Sequence, residues 1–173
     1  MTDLATLAHA DWLERARSLR PPTRPFIAGD YVTPLDGRPV ADTTPRDGSV
    51  IAEIETAGVR DVERAVAAAR EAFEDGRWAN RSPVARKRVL LRFAELVREH
   101  AEELALLESL DVGHPIGDAT RVDVPGAANC LQWYAEAADK QYGEIGPTGP
   151  DALSLVTREP LGVVAAIVPW NYP

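Results

Sequence analysis

Val163-Val-Ala-Ala-Ile-Val168 is an unbroken apolar run, and Pro169-Trp-Asn-Tyr-Pro173 follows it directly. A strand with one wet face alternates polar and apolar residues, so a run without polar residues suits a strand covered on both faces, as in a parallel α/β sheet. Such a strand constrains the rest of the chain. Parallel neighbours are joined by crossover helices, and both faces need a covering layer. Only five residues follow Val168. The sequence therefore reads as stopping mid-domain, a truncated piece of a larger α/β protein rather than a complete small helical one.

Composition narrows the classes further. With 45% hydrophobic and 27% charged residues in 173, the chain can bury a core and is not a disordered segment. A net charge of −8, with no clustering of basic residues, argues against a nucleic-acid partner. Met1 to Ala10 lacks the basic start and apolar stretch of a secretory signal, and no run approaches the roughly 20 apolar residues of a membrane span. The default expectation is a cytoplasmic protein with no membrane contact. One cysteine excludes an internal disulfide. His9, His100 and His114 stand far apart without metal-ligand spacing, which argues against structural zinc.

Periodicity outlines the elements. Asp11 to Arg20 is a short amphipathic helix ended by Pro21, Pro22 and Pro25. Phe26 to Val32 reads as two strand pieces around a Gly29-Asp30 turn, and Ser49 to Thr56 alternates as a half-buried strand. Val62, Val66, Ala69 and Phe73 recur at helical spacing. Leu90, Phe93, Ala94 and Val97 form a second stripe behind a Ser82-Pro83 start, and Leu104, Leu107 and Leu110 a third that ends at Gly113 and Pro115. A fourth helix is predicted from about Val124 to Asp139, with Ala127, Cys130, Leu131, Tyr134 and Ala138 on one face; Pro125 and Gly126 blur its start. Cys130, on that apolar stripe, reads as a core residue. Residues 143–150 form a turn-rich linker, and Leu153 to Thr157 an exposed, edge-type strand.

The terminal pentapeptide carries the chemistry. Pro169 and Pro173 restrict the backbone on either side of Trp170-Asn171, just past the carboxyl end of a parallel-type strand, where open α/β sheets bind ligands. Asn171 is then either a positioned amide donor or a turn asparagine hydrogen-bonded to nearby backbone.

Glu159-Pro-Leu-Gly-Val-Val-Ala-Ala-Ile-Val-Pro-Trp-Asn-Tyr-Pro173 closely resembles the signature of the aldehyde dehydrogenase superfamily around the first strand of its cofactor domain. Earlier blocks resemble the same family in order: Phe26-Ile-Ala-Gly-Asp30 its opening hairpin, Asp61 to Phe73 its first long helix, Leu107 to Pro115 its next helix end. The resemblance covers about residues 24 to 173. Trp133-Tyr-Ala-Glu136, Asp139-Lys140 and Tyr142-Gly143 look most like the aminoaldehyde branch, the gamma-glutamyl-gamma-aminobutyraldehyde dehydrogenases.

This resemblance implies the N-terminal portion of an α/β fold: helices and short hairpins, an oligomerisation strand, and the first strand of a Rossmann-like cofactor domain. The divisions it implies are an N-terminal arm over 1–25, the helical part of the cofactor-binding domain over 26–140, linker and oligomerisation strand over 141–160, and first strand with active-site loop over 161–173. It implies oxidation of an aldehyde to a carboxylic acid with NAD or NADP, through a cysteine thiohemiacetal and thioester. Aminoaldehydes are the favoured substrates, and homodimers or homotetramers form by pairing the strand that starts at Leu153. Asn171 is implied as the amide donor to the carbonyl oxygen, and Ile167, Val168, Pro169, Trp170 and Asn171 as cofactor contacts; ordinary strand packing is the competing reading for Ile167 to Trp170. Asp111 and the backbone carbonyl near Thr43 are implied as a monovalent-cation site, against a reading of Asp111 as a helix-end residue bonding local backbone. The family's nucleophilic cysteine, general-base glutamate and cofactor lysine are not among these residues, so the fragment by itself is expected to be inactive. His114 stands where the family usually has lysine, and Thr44 where it usually has asparagine or aspartate. A different class, a non-catalytic assembly module or relic that pairs with a full-length partner, is the alternative.

Overall fold

Ser82 and Pro83 start the longest helix in the way the sequence predicts. In the computed structural model, which describes residues 7–171, the Ser82 hydroxyl accepts a hydrogen bond from the Ala85 amide at 3.3 Å, and Pro83 is the first residue of α3, Pro83–Glu99. After a break at His100, α4 runs Ala101–Asp111. Gly113, at φ 81°, then turns the chain. A continuous helical path follows, made of the short α5 (Ile116–Asp118), a π-helical turn (Ala119–Asp123) and α6 (Val124–Ala137). The π turn ends two residues before Pro125, where the regular ladder loses a donor.

α6 lies along α3. Fully buried alanines, Ala94 on α3 and Ala128 and Ala135 on α6, allow close backbone approach. The contact is flanked by polar bonds: Arg98 donates to Asn129 (3.0 Å) and Gln132 (2.7 Å), and Lys87 pairs with Asp139 at 3.0 Å. Beside it Ala105, Ala119 and Val124 form a small core cluster that joins α4 to the π turn and α6. The N-terminal helix α1, His9–Ser18, buries Trp12 and ion-pairs Arg15 with Glu102 of α4.

The described residues also form three two-stranded antiparallel hairpins. β1 (Phe26–Ile27) and β2 (Asp30–Tyr31) are joined by Ala28 and Gly29 at φ 56° and 96°. This is a type I′ turn one residue earlier than the predicted Gly29-Asp30 turn, and it matches strand twist at the cost of placing an alanine in left-handed space. β4 (Val50–Glu55) is the predicted alternating strand; its partner β3 (Pro39–Thr43), with a register shift between Asp42 and Thr43, had no sequence signal. β5 (Glu144–Gly146) lies inside the predicted linker and pairs with β6 (Ser154–Val156), the predicted edge strand. In the first turn of helix α2, Val59–Glu74, the buried Asp61 carboxylate accepts from the backbone amides of Leu35 (3.0 Å) and Gly58 (3.2 Å), which fastens the loop after β2 to the start of the helix.

Three expectations are corrected. Val163 to Val168 belongs to no strand: the parallel neighbours such a run requires are not among the described residues, and Ile167 is 96% exposed. The buried face of α6 carries Val124, Ala128 and Ala135, roughly a quarter turn from the predicted stripe. Cys130 is consequently exposed and not in the core. Stripes on α2 and α3 are likewise only half covered, since Val62, Val66 and Phe93 are exposed.

Candidate functional site

Two places collect the residues singled out by sequence. The first is the acidic end of an open apolar groove of about 1470 Å³, walled by Phe93, Leu96, Leu104, Leu107 and Cys130. Thr43 and Asp111 both line this groove. The carboxylate facing Asp111 is Asp42, one residue before Thr43 and beside the irregularity in the β3–β4 ladder. Burial first, then the charge of Asp111 and a hydrogen bond to it, push the Asp42 carboxyl above its ordinary range. Asp111 closes α4, where the carbonyl end of the helix adds further negative potential. Two close carboxyls and a helix C-terminus favour a cation or a shared proton.

Beside them Glu108, His114 and Asp123 converge. Ser109 donates to the His114 carbonyl at 2.8 Å, which fixes the loop after α4, and Nδ1 of His114 lies 3.1 Å from Asp123 Oδ2 and 3.7 Å from Glu108 Oε1. Burial, then the neighbouring Asp123, raise the Glu108 carboxyl, while His114 opposes the shift. His114 is therefore not isolated from metal-type ligands, contrary to expectation. The sequence spacing of histidines could not show this, because both partners are carboxylates, one of them reached through the π turn.

The second place is the segment from Leu161 to Asn171. Gly162 passes over α2, where an added Cβ would lie 3.2 Å from the Arg70 guanidinium and 3.8 Å from Phe73. Beyond it Ile167, Val168, Pro169 and Trp170 are exposed, Trp170 to 86%, and Trp170 and Asn171 form a turn. Asn171 is exposed, free of a regular ladder, and does not line the groove with Thr43 and Asp111. Tyr172 and Pro173, the second half of the expected proline bracket, lie outside the described residues. Among the described residues no helix is long and apolar enough to cross a membrane.

A sequence profile described as the aldehyde dehydrogenase family matches residues 31–173. The chain is 46% identical over its whole length to an aminoacetaldehyde dehydrogenase of Pseudomonas aeruginosa, covering 34% of that protein. It is 46% identical over 95% of its length to the NADP/NAD-dependent aldehyde dehydrogenase PuuC of Escherichia coli K12, covering 33% of it. Among solved structures, the gamma-glutamyl-gamma-aminobutyraldehyde dehydrogenase of Burkholderia cenocepacia superimposes with a TM-score of 0.94 at 54% identity, over 96% of this chain and 34% of that one. The chain thus spans about a third of the length of the relatives it matches.

Proposed function

The chain belongs to the aldehyde dehydrogenase family, and from that premise we propose that it supplies the N-terminal part of an enzyme that oxidises an aldehyde to a carboxylic acid with NAD+ or NADP+. The observation that carries the proposal is the family match reaching through Pro169-Trp170-Asn171, with Asn171 set in an exposed turn beyond an apolar segment. Hydride removal from the aldehyde carbon needs an acceptor, which the nicotinamide supplies when bound. Ile167, Val168, Pro169 and Trp170 suit a contribution to its binding, because their side chains are exposed and their backbone lies outside any ladder. Asn171 donates its side-chain amide to the carbonyl oxygen as negative charge develops there. Such a donor is worth on the order of 100- to 1000-fold in turnover.

Cys130 is not the nucleophile in this reading. It sits in mid-helix among Ala127, Leu131, Phe93 and Leu96 on an apolar wall, without the electropositive surrounding that activates a thiol. The nucleophile and general base belong to residues other than these 173. The substrate is an aminoaldehyde, supported by the named activities of the relatives. Asp111 and the Thr43 carbonyl hold a monovalent cation, which Asp42 would help to neutralise. The protein is cytoplasmic and assembles as a homodimer or homotetramer through β6, whose Leu155 and Val156 are exposed. Residues 1–25, 26–140, 141–160 and 161–173 serve as arm, helical part of the cofactor domain, linker with assembly strand, and an apolar segment, outside any ladder among the described residues, that leads into the active-site loop.

The test is aldehyde-dependent NAD(P)H formation by the complete gene product, with an aminoaldehyde and an aliphatic aldehyde compared. Turnover with preference for the aminoaldehyde is the expected result. A folded product with no turnover on either, and no cysteine besides Cys130, would replace the enzyme reading by an assembly module.

A further inference from the structure

We propose that Glu108, His114 and Asp123 form a site for a divalent transition-metal ion of the zinc type. One ligand atom from each of the three lies within 4.8 Å of the others. The two edges that meet at Nδ1 of His114, 3.1 Å and 3.7 Å, bracket the spacing of about 3.3 Å between ligands held around a tetrahedral zinc ion at about 2.0–2.1 Å. The third edge, between the two carboxylates, lies within 4.8 Å and would shorten as the ligands close on an ion.

An independent observation points the same way. Glu108 Oε1 is inaccessible to solvent and makes no hydrogen bond; the group facing it, Nδ1 of His114, stands at 3.7 Å, beyond hydrogen-bond reach. A buried carboxylate oxygen without a partner is costly, and its absence of a donor calls for an explanation. An ion between the three groups supplies the missing partner. The side chains of Glu108 and Asp123 are only 13% and 9% exposed, so the ligands are held by packing and not by loose surface rotamers. The backbone is held as well, since the loop bearing His114 is anchored by Ser109 and Asp123 ends the π turn.

The donor set selects the ion. One imidazole with two carboxylates is a mixed nitrogen and oxygen site, suited to zinc, cobalt or nickel; calcium and magnesium prefer oxygen alone. Two carboxylates also balance the charge of a divalent ion bound by a neutral imidazole. The competing occupant is a proton, with a cationic His114 bridging Glu108 and Asp123.

His114→Lys separates the two, because it keeps a positive charge between the carboxylates and removes the ligand. Zinc is titrated into the complete protein by calorimetry, and cobalt is followed by its visible ligand-field absorption, for the wild type, His114→Lys and the near-isosteric Asp123→Asn. One zinc per chain, an intense cobalt spectrum, and binding at least about 100-fold weaker in both variants are expected. Zinc should also raise the melting temperature of the wild type but not of His114→Lys. Equal binding by the wild type and His114→Lys, or no binding by a folded wild type, would overturn the site. Neither outcome depends on turnover, so failure here leaves the proposed oxidation untouched, and the reverse holds.

Discussion

Gly113 and Gly48 share a backbone conformation and differ in their surroundings, so replacing each by alanine separates two costs. Gly113 has φ 81° and Gly48 φ 74°. In either place an L-residue in left-handed space costs about 1–2 kcal/mol. A Cβ at Gly48 meets nothing within 4 Å, whereas one at Gly113 falls 2.8 Å from Cγ of Pro45, with two further atoms of the same ring at 3.8 and 3.9 Å. Pro45 cannot swing aside, because its ring is tied to its own backbone, and the contact joins the end of α4 to the turn between β3 and β4. Overpacking a fixed neighbour costs about 1–3 kcal/mol more. Gly48→Ala should therefore lose about 1–2 kcal/mol and Gly113→Ala about 2–5 kcal/mol. At about 2–4 °C per kcal/mol for a chain of this size, Gly113→Ala should melt roughly 2–12 °C below Gly48→Ala. Thermal unfolding followed by circular dichroism measures the gap. Equal melting temperatures would refute the claim that the turn of Asp111 and His114 is seated on Pro45.

Two further outcomes follow from the fold. Ala28→Asn should stabilise the first hairpin by about 0.5–1 kcal/mol, because asparagine tolerates left-handed space and the Asn-Gly pair suits a type I′ turn; a drop in melting temperature would contradict the turn geometry. Asp61 supplies a pH signature. Burial opposes its ionisation, but the amides of Leu35, Gly58 and Asp36 and the Arg64 cation outweigh it and hold the carboxyl below its ordinary value of 3.8. A carboxyl lowered in the folded state stabilises above its unfolded pKa, and that contribution disappears as pH falls through the folded pKa. The stability gap between wild type and Asp61→Asn should accordingly be full at neutral pH and shrink below about pH 4 in denaturant titrations. A gap that does not change with pH would refute the role of the ionised form.

The helices were legible because their signals are local. Ser82-Pro83, the Gly113 stop and the 3.6-residue periodicity fix where α3 and α4 begin and end, whatever packs on them. Burial was less legible, because it depends on the partner. α6 turns Ala128 and Ala135 toward α3, where small side chains permit close contact, and leaves Cys130 on the groove wall. β3 and β5 escaped notice for a related reason: Pro39–Thr43 and Glu144–Gly146 become strands only by pairing with β4 and β6. Val163 to Val168 shows the opposite case, a strong pattern without a ladder to satisfy it among the described residues. The acidic cluster was invisible for geometric reasons, since Asp42, Glu108 and Asp123 come from three elements, and only folding sets them beside Asp111 and His114.

The proposed oxidation depends on Asn171. Steady-state kinetics of Asn171→Ala in the complete protein, with kcat, KM and cofactor affinity measured separately, tests it most directly. Loss of the proposed oxyanion donor predicts a fall in kcat of about 100- to 1000-fold with cofactor affinity within about threefold of wild type. A variant that turns over within about threefold of wild type would show that Asn171 is only a turn residue, and the chemical role assigned to this chain would fail.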